Sequence, residues 1–307
     1  MKKIFIDGSA GTTGLRIHQR LAERKDLQVI TLSDDCRKDP AARKEALNSA
    51  DIAFLCLPDA AAVESASFVE NSNTVVIDTS TAHRVDPNWT YGFPELKGQR
   101  EKIVSSKRIA NPGCHASGVV ALVAPLMREG LLKKDVQLSC FSLTGYSGGG
   151  KQMIAEYEGA ERDKLLDAPR LYGLTQSHKH LKEIVSLCSL KNVPAFCPIV
   201  APFYSGMEVS VPVFAQDLNC SKKELEEFFA AYYQNGLIHF AAEADENGFL
   251  SSGAFSGRDD LQITVTGNDE RMLLTARFDN LGKGASGAAI QNMNLILGVP
   301  EDTGLTV

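Results

Sequence analysis

The chain has 307 residues, 44% of them apolar and 23% charged, which is the balance of an ordinary soluble globular protein long enough for two domains. Its net charge of -6 argues against nucleic acid as the main partner, and no apolar run approaches the roughly 20 residues of a membrane span. Seven cysteines, an odd number with no CxxC among them, argue against a disulfide framework or a structural metal and fit free thiols in a reducing, cytoplasmic setting.

The chain opens with alternating strand and helix patterns. "KKIFID" reads as a strand, "GSAGTTG" as a glycine turn, and "LRIHQRLAERK" as a helix with Leu15, Ile17 and Leu21 apolar. "LQVITLS" is a second strand, and "PAARKEALNSA" a helix that Pro40 opens. "DIAFLCLP" is apolar throughout, as suits a strand buried on both faces, and an alanine-rich helix and the strand "TVVIDTS" follow. This order predicts an α/β fold of Rossmann type, a doubly wound parallel sheet.

Beyond about residue 115 the pattern changes. "VQLSCFSLTGYS" and "MEVSVPVFAQD" alternate like strands, and Ser221 with Glu224 three residues on gives a capping box for "KKELEEFFAAYYQN". "LQITVTGNDERMLLTARFDN" reads as a hairpin around Gly-Asn, and "GKGASGAAIQNMNLILG" as a closing helix. These elements predict an α+β domain with a mixed or antiparallel sheet.

The turn Gly8-Ser9-Ala10-Gly11-Thr12-Thr13-Gly14 lies between a strand and a helix, where backbone N–H groups and the helix dipole suit a dinucleotide phosphate. Its spacing is GxxGxxG rather than GxGxxG, so the βαβ context carries the assignment. The end of the second strand offers both acidic Asp34 and Asp35 and a set of Ser33, Arg37 and Lys38, which leaves NAD and NADP open from the residues. Ser80, Thr81 and Arg84 follow the fourth strand, where ligands of such sheets bind.

"NPGCHASG" places Cys114 after turn-forming residues and at the start of a helix pattern, a position that favours a thiolate. A histidine distant in sequence commonly activates such a thiol, and "QSHKH" supplies His178 and His180. "TGYSGGGK" offers a second anion site through Ser147, Gly148, Gly149, Gly150 and Lys151.

These segments, with "CLPD", "IDTSTAHR", "YGFPEL" and "DNLGKGASGAAIQNMN", resemble the short form of the N-acetyl-γ-glutamyl-phosphate reductase family over nearly the whole chain. Two places depart from the family pattern. His115-Ala116-Ser117 stands where Tyr-Pro-Thr is usual, and Lys182 stands where HxHxPE has proline, which leaves open whether His178 or His180 is the acid/base.

The resemblance implies an NADPH-dependent enzyme of arginine biosynthesis. It would reduce N-acetyl-γ-glutamyl phosphate to N-acetylglutamate 5-semialdehyde and inorganic phosphate through a Cys114 thioester. The alternative is a reductase for another acyl phosphate, aspartyl or carrier-linked glutamyl or aminoadipyl. It implies cofactor contacts at Gly8 to Gly14, Ser33, Arg37, Cys56, Leu57, Pro58 and Ser80, and no metal; the closing helix, rich in small residues, is expected to return to the cofactor domain and bring Asn280, Lys283 and Gly284 near the nicotinamide. Arg84, Glu95, Asn111, Ser147, Gly148, Gly149 and Lys151 would face the substrate. The cofactor domain is expected over residues 1-114, completed by 285-307, with a catalytic and oligomerisation domain over 115-284. A homodimer or homotetramer is expected.

Overall fold

The computed structural model describes residues 1–307, in two compact units: residues 1–112 with 285–305, and residues 113–284 with 306–307. The first unit begins with β1 (Lys2–Asp7), α1 (Thr12–Ala22), β2 (Leu27–Ile30), α2 (Pro40–Ser49), β3 (Ile52–Leu55), α3 (Asp59–Ser67) and β4 (Val75–Asp78). Then come β5 (Thr90–Tyr91), α4 (Gln99–Ser105) and β6 (Arg108–Ala110). The six strands form one sheet in the order β2-β1-β3-β4-β6-β5, with every neighbouring pair parallel.

Alternate side chains of these strands feed two cores, because successive residues of a strand point to opposite faces. Ile4 and Ile6 join Phe54 and Ile77 on one face, while Phe5 joins Leu55 and Val76 on the other. Pro40 does open α2, and Asp39 before it caps the helix by accepting from the N–H groups of Ala41 and Ala42. A buried ion pair that no sequence pattern announces joins two elements here. Arg43 of α2 donates to Asp7 at the end of β1 at 2.9 Å, and Ser65 of α3 donates to the same carboxylate at 2.5 Å.

The second unit contains α5 (Cys114–Arg128), β7 (Ser139–Gly145), α6 (Gly150–Glu158), β8 (Arg170–Leu171), α7 (His180–Leu187) and β9 (Ala195–Ala201). It continues through β10 (Met207–Phe214), α8 (Lys222–Tyr232), β11 (Ile238–Phe240), β12 (Leu261–Gly267) and β13 (Arg271–Phe278). Its seven strands lie in the order β11-β12-β13-β10-β7-β9-β8. The sheet is mixed: β11 with β12 and β7 with β9 are parallel, and the other pairs are antiparallel. The Ser221–Glu224 capping box and the β12–β13 hairpin both form. The last helix, α9 (Gly287–Leu297), follows a π-helical turn over Gly282–Ser286 and packs Ala289, Ile290 and Met293 into the core of the first unit. The histidine segment leads into α7, which His180 opens. The helix buries His180, Leu181, Glu183 and Ile184 along one face.

Helix α5 is the centre of the second unit. Every residue from His115 to Leu126 is buried, so it is apolar all round rather than amphipathic. It lies close on the sheet because Gly118 has no side chain. A Cβ there would meet Val209 at 2.5 Å and Phe278 at 3.1 Å. Pro125 inside the helix has no N–H, so the carbonyl of Ala121 four residues earlier loses its usual donor. The hydroxyl of Tyr233 donates to that carbonyl at 2.8 Å. Tyr233→Phe should therefore leave a buried carbonyl unsatisfied and cost about 1–3 kcal/mol of stability in urea denaturation. A loss below a few tenths of a kcal/mol would show that Pro125 needs no such compensation.

Candidate active site

In the first unit the turn after β1 is shaped by its own backbone. Gly8 has φ +87°, and a Cβ on it would fall 2.4 Å from the carbonyl oxygen of Cys56 and 3.0 Å from Leu57. A Cβ on Gly14 would fall 2.4 Å from the carbonyl of Gly8. Gly11 has open space by comparison and caps α1 without a side-chain hydrogen bond. Cys56, Leu57 and Pro58, where β3 passes into α3, thus sit directly against the turn. Burial pushes the Cys56 thiol up to about 12, so it stays protonated.

Ser9 and Ala10 are exposed at the tip of the turn, and Thr13 is half-buried. The hydroxyl oxygen of Thr12 is buried with no hydrogen-bond partner. An orphaned hydroxyl on the first turn of a helix with no side-chain cap has the chemistry to receive a phosphate oxygen. The residues therefore fit a dinucleotide. Ser33 and Arg37 lie in an exposed turn after β2, where Arg37 pairs with Asp34 at 3.5 Å.

The residues after β4 and β6 in this unit form a buried polar network. The hydroxyl of Ser80 donates to Asp78 at 2.7 Å, so it is already engaged. Arg84, only 8% exposed, donates to the carbonyls of Asn111 at 2.9 Å and Thr79 at 3.1 Å. Asn111 donates to the carbonyl of Ala285 and is approached by the amide of Asn292, which also donates to the carbonyl of Gly92. Glu95 accepts from Gln291 at 2.8 Å. These contacts brace the backbone that runs into Pro112.

In the second unit Cys114 is the first residue of α5 and is partly exposed. Two neighbours hold it. Glu183 of α7, 2% exposed, accepts from the N–H of Gly113 at 2.9 Å. Gly284 lies so close that a Cβ on it would be 2.9 Å from the Cβ of Cys114. Sequence reasoning missed Glu183; its place three residues after His180 on one helix face was the available signal.

His178 and His180 come together with ring centroids 4.9 Å apart, and His115 lies 5.5 Å from each. The N–H of His180 donates to Nδ1 of His178, so His178 is neutral with its proton on Nε2. Burial pushes His178 below its usual range, and Lys179 beside it acts in the same direction. His115 itself is engaged on both sides, with Ser142 at Nδ1 and the Tyr172 hydroxyl at Nε2, each at 2.6 Å. Tyr172 is within electrostatic range of the Cys114 thiol, though burial is the larger cause that pushes its hydroxyl up. Neither His115 nor Tyr172 was singled out as a site residue from the sequence.

Ser147 is buried, while Gly148, Gly149 and Lys151 are exposed at the start of α6, which has no side-chain cap. Asn280, expected near the nicotinamide, has both amide atoms engaged in this unit. It accepts from the N–H of Gly206 and donates to the hydroxyl of Ser147, each at 3.0 Å. Lys283 is 1% exposed.

The model of the semialdehyde dehydrogenase NAD-binding domain matches residues 3–106, and that of the semialdehyde dehydrogenase dimerisation domain matches residues 114–280. An N-acetyl-gamma-glutamyl-phosphate reductase 2 from Nostoc sp. is 43% identical over 318 aligned positions, covering 99% of each chain. An N-acetyl-gamma-glutamyl-phosphate reductase from Chelativorans sp. is 46% identical and covers 96% of this chain and 98% of its own. Among solved structures, aspartate semialdehyde dehydrogenase II from Vibrio cholerae superposes with a TM-score of 0.72 over 97% of this chain and 99% of its own, at 16% identity. At that identity the likeness is one of fold. No helix is long and apolar enough to cross a membrane.

The buried His115 carries a pH signature. Burial first, then His178 and Lys179, push its imidazole down to about 3, whereas in an unfolded chain it titrates near about 6.5. Between those values the unfolded chain binds a proton that the folded one excludes. The contribution of His115 is therefore complete above about pH 6.5 and is lost as the pH falls toward 3. Between pH 7 and pH 5 wild type should lose about 2 kcal/mol through this residue. His115→Leu should remove that share of the loss, as read by urea denaturation at the two pH values. An unchanged pH slope would contradict the assignment.

Proposed function

The chain belongs to the semialdehyde dehydrogenase family, among the N-acetyl-gamma-glutamyl-phosphate reductases, and from that premise we propose that it reduces N-acetyl-γ-glutamyl phosphate to N-acetylglutamate 5-semialdehyde, with NADPH, in arginine biosynthesis. The observation that carries the reading is Cys114 on the first turn of a buried helix, beside a cluster of histidines, in a chain 43–46% identical to reductases of that name.

In this reading His180 takes the proton from the Cys114 thiol, while His178, whose Nδ1 accepts the N–H of His180, fixes the start of α7. The thiolate forms a bond to the acyl carbon, and the bond from that carbon to the phosphate oxygen breaks, releasing inorganic phosphate. The first N–H groups of α5, which a helix leaves without intrahelical partners, face the oxygen on which charge develops. The exposed start of α6, with Gly148, Gly149 and Lys151, receives the phosphate, and Asn280 holds the Ser147 hydroxyl there. Arg84 and Asn111 support the turn that leads into Cys114, and Glu95 braces it from the same unit.

NADPH, when bound, supplies the hydride that reduces the thioester carbonyl. The Gly8–Gly14 turn and Thr12 hold its pyrophosphate, with Cys56, Leu57, Pro58 and Ser80 along the strand ends. Ser33 and Arg37 hold its 2′-phosphate. The thiolate of Cys114 then leaves and the aldehyde is released.

A second copy of the chain completes the assembly in this reading. One face of the second sheet is covered by α5, while the other presents Phe141 and Phe214, 45% and 49% exposed, beside Leu143, Ile199 and Leu273. With a match to a dimerisation domain over the same residues, that face is assigned to a homodimer. Seven cysteines with no disulfide among them suit a reducing cytoplasm.

The test is phosphate-dependent reduction of NADP⁺ by N-acetylglutamate 5-semialdehyde. Wild type should turn over only with phosphate present, and Cys114→Ser should lose more than about 1000-fold in kcat. Preference for aspartate semialdehyde would overturn the substrate while leaving the nucleophile. An active serine variant would overturn the nucleophile. Arg37→Ala should raise the KM for NADP⁺ about tenfold without affecting NAD⁺, a loss on the scale of one charged hydrogen bond; equal effects on both would remove Arg37 from the 2′-phosphate site.

A further inference from the structure

The hydrogen bonds around His115 fix a direction that the mechanism above does not use. Ser142 is fully buried, and Nδ1 of His115 is its side-chain partner. If Nδ1 carried the proton, the Ser142 hydroxyl would hold a buried proton with no acceptor, which is costly. The satisfied arrangement has the Ser142 O–H donating to Nδ1. His115 is neutral, so its single proton then lies on Nε2 and is donated to the oxygen of Tyr172. The phenol accepts on that side, and its own O–H is left to donate elsewhere. Tyr172 is half-buried, its hydroxyl rests against the imidazole of the residue that follows Cys114 in the first turn of α5, and burial keeps it protonated.

We propose that Tyr172 is a hydrogen-bond donor to the anion formed at Cys114, first the thiolate and then the acyl oxygen, and that Ser142 and His115 are positioning residues that turn its hydroxyl proton that way. The inference rests on the reading of Cys114 as nucleophile, but not on the identity of the acyl phosphate. No covalent step is added: the phenol keeps its proton throughout. The other groups around His115 are His178 and His180, with Lys179 acting at longer range. Glu183 lies on the N–H of Gly113. None of these is altered in the variants below.

The experiment follows alkylation of Cys114 by iodoacetamide across pH, read on the peptide that contains Cys114. Tyr172→Phe removes the donor and should raise the midpoint of the profile by about one pH unit, the scale of one hydrogen bond to an ionised group. His115→Leu should raise it by a similar amount. The His115→Leu/Tyr172→Phe double variant should go no further than Tyr172→Phe alone, because one residue acts through the other. His115→Gln, whose amide can still donate to Tyr172, should restore a midpoint near that of wild type. Should His115→Leu fail to fold, Tyr172→Phe and His115→Gln carry the test without it. An unmoved midpoint in Tyr172→Phe, or shifts that add in the double variant, would overturn the proposal.

Turnover supplies the second reading. Tyr172→Phe should lower kcat with N-acetylglutamate 5-semialdehyde about tenfold while KM stays within about threefold, as for a donor that acts on the developing charge. A rise in KM with kcat unchanged would overturn the acyl-oxygen part. If wild type does not turn over this aldehyde, the substrate reading fails, and the alkylation profiles still support or overturn the role of Tyr172.

Discussion

A helix that begins inside a protein must find partners for its first N–H groups without help from water. Helix α5 begins this way. Glu183 takes the N–H of Gly113, the backbone of Gly284 presses against Cys114, and the helix is buried from His115 to Leu126. Much of the second unit answers that one requirement. Helix α7 exists to present Glu183 and His180 on the same face. Gly118 lets α5 lie on the sheet, and Tyr233 repairs the carbonyl that Pro125 leaves open. A thiol placed at such a point lies at the positive end of the helix dipole, which favours the thiolate.

Polar groups elsewhere in the chain are buried in connected sets rather than singly, as the cost of an unsatisfied buried group demands. Asp7, Arg43 and Ser65 form one set behind the glycine turn. Arg84, Asn111, Asn292 and Gly92 form another along the chain that leads into Pro112. Ser142, His115 and Tyr172 form a third around the residue that follows Cys114. Thr12 and Thr264 break the pattern, and Thr12 does so on the first turn of α1, where a phosphate would supply the missing partner.

The parallel sheet of the first unit was legible from the chain because each strand and helix there obeys its own local period. The hairpin of β12 and β13 and the Ser221 cap were legible for the same reason, since turn residues and capping boxes act over three or four positions. Helix α7 was not, because "QSHKHLKEI" is short, largely polar and made amphipathic only by what it packs against. At the candidate site Cys114, His178 and His180 carried a chemical signal in their residue types. His115 did not, although it stands next to the cysteine. A histidine becomes informative only when its two nitrogens have known partners, and Ser142 and Tyr172 lie 27 and 57 residues away.

Local order along the chain was enough to name the two kinds of sheet and the glycine turn, and to place Cys114 at a helix start, because propensity, capping and periodicity are properties of neighbouring residues. It was not enough to say what each glycine does. Gly8 and Gly14 are required by backbone that passes within contact distance, and Gly284 by Cys114, across 170 residues of chain. Nor did it show that Asn280 serves Ser147, that Glu183 seats the first turn of α5, or which way the hydroxyl of Tyr172 points. Those are facts of packing, and packing joins residues whose separation along the chain leaves no trace in any local pattern.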